Sequence, residues 1–254
     1  MTKIIKSVSG WREIYQAEKL SGKKIGFVPT MGALHKGHAS LIERSVKEND
    51  LTIVSIFVNP TQFNDPKDLQ NYPRTYDYDL EMLEELKADY LFYPDYNEIY
   101  SDNYRYTISE NELSKILCGA FRPGHFDGVL TVVMKLLNIL RPNRAYFGEK
   151  DFQQFKLIEG MAQAFFLDTE IIPCPTLRDN DGLAMSSRNT LLSPEERRFA
   201  LNFPRLLKLN KTDAEIKTEL ELLGFKVDYI EEYSGRRLGA VYVGKVRLID
   251  NVKL

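Results

Sequence analysis

The chain has only three histidines, and two stand three residues apart in Pro29-Thr30-Met31-Gly32-Ala33-Leu34-His35-Lys36-Gly37-His38. On the first turn of a helix, side chains at that spacing project to one side and can meet the same phosphate. A helix start adds unpaired backbone N–H groups and a positive dipole end, both suited to an anion. Gly37 between the histidines leaves space for a base and ribose near the backbone. By itself an HxGH segment reads equally well as a solvated helix start.

Two further segments carry charge of the right kind. Phe147-Gly148-Glu149-Lys150-Asp151-Phe152-Gln153-Gln154 has a glycine for close backbone approach and a lysine as a point charge. Asp151 and Gln154, three apart, share one side of the turn that follows. Asp181-Gly182-Leu183-Ala184-Met185-Ser186-Ser187-Arg188-Asn189 sets two hydroxyls beside an arginine. Hydroxyls donate and a guanidinium forks onto phosphate oxygens, so this set can clamp a triphosphate. A serine-rich linker has the same composition.

Other segments are milder. Asn59 and Gln62, in Val58-Asn59-Pro60-Thr61-Gln62-Phe63, offer neutral amides for hydroxyl and carboxylate groups, or ordinary turn chemistry. Asp77 and Asp79 follow Tyr72-Pro73-Arg74-Thr75; they can help hold Mg²⁺ or simply favour a helix start. His125, in Arg122-Pro123-Gly124-His125-Phe126-Asp127-Gly128, suits a structural bond to backbone as well as a ligand.

The elements that must hold these groups alternate. Strand-like runs at 24–28, 51–58, 89–93, 144–147 and 169–173 are separated by helical stripes such as Val129, Val132, Val133, Leu136, Leu137 and Leu140. That rhythm predicts an α/β fold with a parallel sheet and helices on both faces. In such sheets ligands bind at the carboxyl ends of strands, where the histidine and Lys150 segments fall. Beyond a boundary near 175–178 the pattern changes. Ser193-Pro194-Glu195-Glu196 and Thr212-Asp213-Ala214-Glu215 read as capped helix starts, and 225–231 and 240–249 read as antiparallel strands. The predicted division is a domain over 1–176 and a smaller α+β domain over 177–254.

Bulk numbers exclude several classes. With 34 basic and 36 acidic side chains the net charge is −2, without the basic surplus of a nucleic-acid binder. Two cysteines make no disulfide framework or zinc cluster. No apolar stretch is long enough to span a bilayer, and the first residues lack the apolar core of a secretory signal. A cytoplasmic location is expected.

Taken together, six segments resemble the pantothenate synthetase family: PTMGALHKGH (29–38), FVNPTQF (57–63), YPRT (72–75), RPGHFDGV (122–129), FGEKDFQQ (147–154) and DGLAMSSRN (181–189). Their shared order makes them far more specific than any one alone. The resemblance implies a Rossmann-like amino-terminal domain, a small mobile carboxy-terminal domain, a homodimer and Mg²⁺. It implies that ATP and pantoate form pantoyl adenylate and pyrophosphate, and that β-alanine then displaces AMP to give pantothenate. Carried over by residue, Met31, Gly32, Ala33, Leu34, His35, Lys36, Gly37 and His38 would bind ATP, with His38 a proton donor and His35 beside it. Gly148, Glu149, Lys150 and Asp151 would also bind ATP, and Leu177 would lie against adenine. Met185, Ser186, Ser187 and Arg188 would close over the triphosphate. Gln62 and Gln154 would hold pantoate, Gln62 near the β-alanine site, with Asn59 beside them. His35, His38, Lys150 and Arg188 form the expected catalytic set, and Asp79 is the expected metal ligand. A carboxy-terminal domain shortened after Ala200 is the chief departure expected from the family. Asp127, where relatives often carry arginine, is given no role.

No nucleophile–base set is present, and none is needed if the substrate is a carboxylate already ionised at neutral pH. Catalysis then reduces to positioning and to neutralising phosphate charge. A nucleotidyltransferase acting on a phosphate ester would call for more cations near 59–62, where Asn59 and Gln62 are neutral. A binding module that had lost catalysis would be expected to lack Lys150, a histidine or Arg188.

Overall fold

Leu51–Ile56 is buried at every residue, as a central strand covered on both faces must be. In the computed structural model, which describes residues 1–254 apart from the Leu20 side chain, six strands form one parallel sheet. They are β1 (Lys3–Ile5), β2 (Ile25–Thr30), β3 (Leu51–Ile56), β4 (Tyr90–Phe92), β5 (Arg144–Gly148) and β6 (Glu170–Cys174), in the order β1-β4-β3-β2-β5-β6. Successive side chains alternate between two cores. Ile25, Phe27 and Ile53 pack under Trp11 and the His125–Leu140 helix. Val28, Val54 and Ile56 pack with Leu41, Ile42 and Leu83 on the other face.

The chain leaves β2 outward to β3 and β4, then returns to place β5 on the opposite side of β2. That reversal opens a crevice at the carboxyl ends of β2 and β5. The histidine segment follows β2 and the Lys150 segment follows β5, so both border it.

The five predicted strands are present, within a few residues at their ends. The edge strand β1 and the Val8–Leu20 helix were not predicted. Their signal is short: Val8, Trp11, Ile14 and Tyr15 make one apolar stripe after the Ser7 cap. Trp11 is fully buried and donates from Nε1 to the Leu140 carbonyl at 3.2 Å. Its truncation to alanine costs about 3–5 kcal/mol.

The carboxy-terminal region holds three antiparallel strands instead of the two expected: β7 (Lys226–Tyr233), β8 (Arg236–Val243) and β9 (Val246–Lys253). The expected 240–249 strand runs straight through a turn. Ser234 (φ 52°) and Gly235 (φ 72°) close one hairpin, and Gly244 (φ 55°) opens the other. Such two-residue loops occupy little sequence and are easily read as strand. Both predicted capping boxes form, Ser193 with Glu196 and Thr212 with Glu215.

This small sheet buries both faces. Ile230, Val241 and Leu248 pack on Phe203, Leu207 and Leu220, whereas Tyr229, Leu238 and Ala240 join the larger core. Polar contacts continue the junction. Arg236 pairs with Glu149, and Asn251 Nδ2 donates to the Glu149 and Lys150 carbonyls at 2.8 and 3.0 Å. Strand β9 therefore holds the Lys150 turn by its backbone.

Candidate active site

After β2 the chain makes a left-handed turn through Gly32 (φ 81°) and Ala33 (φ 51°) before the Lys36–Glu48 helix starts. Asp79 enforces this turn. Its carboxylate, 1% exposed, accepts Ala33 N–H at 2.9 Å, Leu34 N–H at 2.8 Å and the Thr75 hydroxyl at 3.0 Å. Both oxygens of Asp79, the expected metal ligand, are thus occupied inside the protein.

The two histidines cap their own helix. Gly37 N–H donates to His35 Nδ1 at 3.1 Å, and His35 N–H donates to His38 Nδ1 at 3.3 Å. Each Nδ1 is an acceptor, so each ring proton sits on Nε2. The ring centroids are 4.1 Å apart. Burial, and then the neighbouring Lys150 charge, holds His35 down to about 4. Burial, His35 and Lys150 hold His38 down to about 3. Both rings are neutral at pH 7 and present an N–H. The expectation of His38 as a proton donor narrows to a neutral hydrogen-bond donor. The reason for Gly37 also changes. A Cβ there would stand 2.7–2.8 Å from the His35 ring, so the missing side chain makes room for that imidazole.

Across the crevice, Asn59 is 1% exposed and fully engaged. Its Nδ2 donates to Gln62 Oε1 at 3.0 Å and to Gly128 O at 3.2 Å; its Oδ1 accepts Tyr100 Oη at 2.8 Å and Thr61 Oγ1 at 3.0 Å. Asn59 therefore serves as scaffold for this side of the cleft. It turns the Gln62 amide so that Nε2 points toward Met31 Sδ, 3.3 Å away. The His125–Leu140 helix supports this turn directly, since a Cβ on Gly128 would lie 2.5 Å from Thr61 O. His125 donates from Nδ1 to Gln62 O at 2.8 Å, and its Nε2 accepts from Arg122 Nη1 at 3.0 Å. Burial, with Arg122 next, holds His125 down to about 3. Its structural reading prevails.

A cleft of about 260 Å³ joins these parts. Met31, His35, Gly37, His38, Asn59, Gln62, Gly148, Lys150, Asp151, Gln154, Leu177, Met185, Ser186, Ser187 and Arg188 line it, all of them expected site residues. Gly32, Ala33, Leu34, Lys36 and Glu149 do not. Leu34 lies in the core, Lys36 faces solvent and Glu149 turns to Arg236. Arg188 donates to Asp68 at 2.9 Å, a partner no sequence pattern indicated. Arg122, Tyr72 and the apolar wall of Val129, Val132 and Val133 line the cleft but were assigned no role there. Arg122 and Tyr72 belong to recognisable segments, yet which residue of a loop turns inward depends on the packing of that loop. Among the described residues no three His, Cys, Asp or Glu side chains converge as a metal cage. No helix of the structure is long and apolar enough to cross a membrane.

A parallel α/β sheet with neutral imidazole donors and cations gathered at its crevice defines an enzyme that handles phosphate-bearing substrates. A family model described as pantoate–beta-alanine ligase matches residues 3–253. Pantothenate synthetase of Bdellovibrio bacteriovorus is 56% identical over 257 aligned residues, covering 100% of both chains. That of Legionella pneumophila is 55% identical over 91% of each. Pantoate–beta-alanine ligase of Francisella tularensis, solved with β,γ-ATP and β-alanine, superposes with a TM-score of 0.94 at 44% identity, covering 100% of this chain and 98% of that one. The Thermus thermophilus enzyme gives a TM-score of 0.91 at 36% identity over 99% of each chain. The chain belongs to the pantoate–beta-alanine ligase family. Against the Bdellovibrio relative, matched over its whole length, the carboxy-terminal region is not shortened.

Proposed function

We propose that this ligase joins pantoate to β-alanine in two steps, through pantoyl adenylate. In the first, a pantoate carboxylate oxygen attacks the α-phosphorus of ATP, and the bond to pyrophosphate breaks. In the second, the β-alanine nitrogen bonds to the acyl carbon as the bond to AMP breaks. AMP leaves with the electron pair, and the ammonium sheds two protons overall.

One observation carries this reading. Two neutral Nε2–H donors line the cleft with Lys150 and Arg188, and so do neutral Gln62 and Gln154 with a valine wall. The first set suits a polyphosphate. The second suits a small hydroxy acid with branched methyl groups. Neutral imidazoles donate to phosphate oxygens without having to lose a proton to the solvent first, and Lys150 and Arg188 supply the charge. Leu177, 39% exposed at the rim, offers a flat apolar surface to adenine. Residues 177–254 act as a lid in this proposal, with Arg188 exchanging Asp68 for phosphate. Mg²⁺, implied by the family likeness, would supply further positive charge for the phosphates beside Lys150 and Arg188. The homodimer and the cytoplasmic location come with the family likeness.

The test is ATP–pyrophosphate exchange. Exchange should require pantoate and proceed without β-alanine, and AMP should accumulate only when β-alanine is added. Exchange that ignores pantoate across a panel of hydroxy acids would overturn the proposal.

A further inference from the structure

Arg122 is a cation held by neutral groups. Its Nη1 donates to His125 Nε2 at 3.0 Å and its Nη2 to the Gln62 carbonyl at 3.3 Å. Among the described residues it has no carboxylate partner within ion-pair distance, unlike Arg188, Arg236 and Arg247. A guanidinium remains charged in a protein, and a poorly solvated one without a counter-ion is costly. The neighbourhood makes this worse: burial, and then Arg188 and Arg247, hold the Arg122 pKa below its ordinary value. The His125–Leu140 helix also begins here, at Gly124, with no side-chain cap on its N–H groups. The guanidinium and the open helix start both favour an anion at this corner, beside the carboxylates of Asp151 and Asp250.

The corner is also a junction. Arg122 and His125 border both the main cleft and a side pocket of about 40 Å³, which shares Lys150, Asp151 and Gln154 with it. A group seated there lies beside Gln62 and Gln154.

We propose that Arg122 anchors the carboxylate of the amine substrate, and that the side pocket is the seat of that carboxylate. The inference rests on the proposed function and names which anion belongs here. In that reaction the pantoate carboxylate is consumed at the α-phosphate, and the phosphates meet His35, His38, Lys150 and Arg188. The β-alanine carboxylate is the remaining anion, and it stays ionised through both steps. Held on Arg122, it would place the amine toward the acyl group lodged between Gln62 and Gln154. Arg122 is then also a source of specificity, because an uncharged amine would leave the guanidinium unpaired.

The experiment compares Arg122→Gln and Arg122→Lys with the native enzyme, using β-alanine and its amide as rival amines. For Arg122→Gln, kcat/KM for β-alanine should fall at least about thirty-fold, chiefly through KM, and the preference for β-alanine over the amide should collapse. Arg122→Lys should restore part of that preference. Pantoate-dependent pyrophosphate exchange, which needs no amine, should stay within about threefold, showing that the Gln62 turn is intact. An unchanged KM for β-alanine, or an unchanged preference over the amide, overturns the proposal. So does exchange that falls in the same proportion as condensation, which would move Arg122 to the nucleotide or to pantoate. Failure of the proposed function itself would appear separately, as native enzyme without pantoate-dependent exchange.

Discussion

Two turns face each other across the cleft, and they are held in opposite ways. In the 31–38 turn the backbone N–H groups of Ala33, Leu34, His35 and Gly37 are tied inside the protein. Asp79 takes two backbone N–H groups, His38 takes the His35 N–H and His35 takes the Gly37 N–H. Its donors are neutral and fixed. In the 186–188 turn, Arg188 rests on Asp68 with side chains 30% and 39% exposed. An ion pair that open to water contributes little and is readily exchanged. The difference teaches how the site separates its tasks. Rigid neutral donors sit where charge develops, so no reorganisation is needed there. In the proposed reaction the exchangeable cation leaves Asp68 for a stronger anion.

Removing a group from the fixed side should have the largest effect. His38→Ala deletes an N–H donor and the acceptor that caps His35, and Lys150→Ala deletes the adjoining charge. Each should lower pantoate-dependent exchange by about 10²–10³-fold, with circular dichroism unchanged. Turnover within threefold of native in either variant would remove that residue from the catalytic set.

Next comes the clamp. Asp79→Ala leaves two backbone donors unpaired in a buried turn, at about 1–3 kcal/mol each. Urea denaturation should show a loss of about 2–5 kcal/mol. The conservative Asp79→Asn variant tests whether Asp79 is a metal ligand. Its Mg²⁺ requirement for exchange should match the native one, and a tenfold weaker requirement in a folded variant would restore Asp79 as a ligand.

The pH response is a smaller effect and follows from the three neutral rings. Folded, His35 titrates at about 4, and His38 and His125 at about 3, against 6.5 for an ordinary histidine. As pH falls below 6.5 the unfolded chain takes up these protons first. The stabilisation is therefore complete above pH 6.5 and is lost as pH falls toward 4 and then 3. Melting temperature should drop between pH 6.5 and 5, and His125→Gln should flatten that slope. A flat native profile over this window would mean that the rings are not held neutral.

Asp68→Asn should have the smallest effect. Freeing Arg188 from an exposed pair changes ATP KM by less than about fivefold, and downward. A large rise in KM would mean that Asp68 positions Arg188 instead of merely parking it.

Much of this was legible in the chain. Alternating strand and stripe, with the histidine and lysine segments at strand ends, is local information, and it established the α/β sheet and the three segments that border the crevice. His35, His38, Lys150 and Arg188 were found because their chemistry is rare enough to stand out beside glycines and helix starts. Three things were not legible. Asn59 and Asp79 carry the same donors and acceptors whether they meet a ligand or a backbone, and only burial distinguishes the two. Arg122 stands in a recognisable loop, but its lack of a carboxylate partner is a property of everything folded around it. The third carboxy-terminal strand was hidden by a hairpin turn too short to interrupt the pattern. The sequence by itself determined which elements form and which residues have the chemistry, because propensity and side-chain type act over a few neighbours. The tertiary structure alone decided the protonation of the histidines, the duties of Asp79 and Asn59 and the unmatched charge of Arg122, because dielectric, hydrogen-bond partners and counter-ions come from residues far apart in the chain.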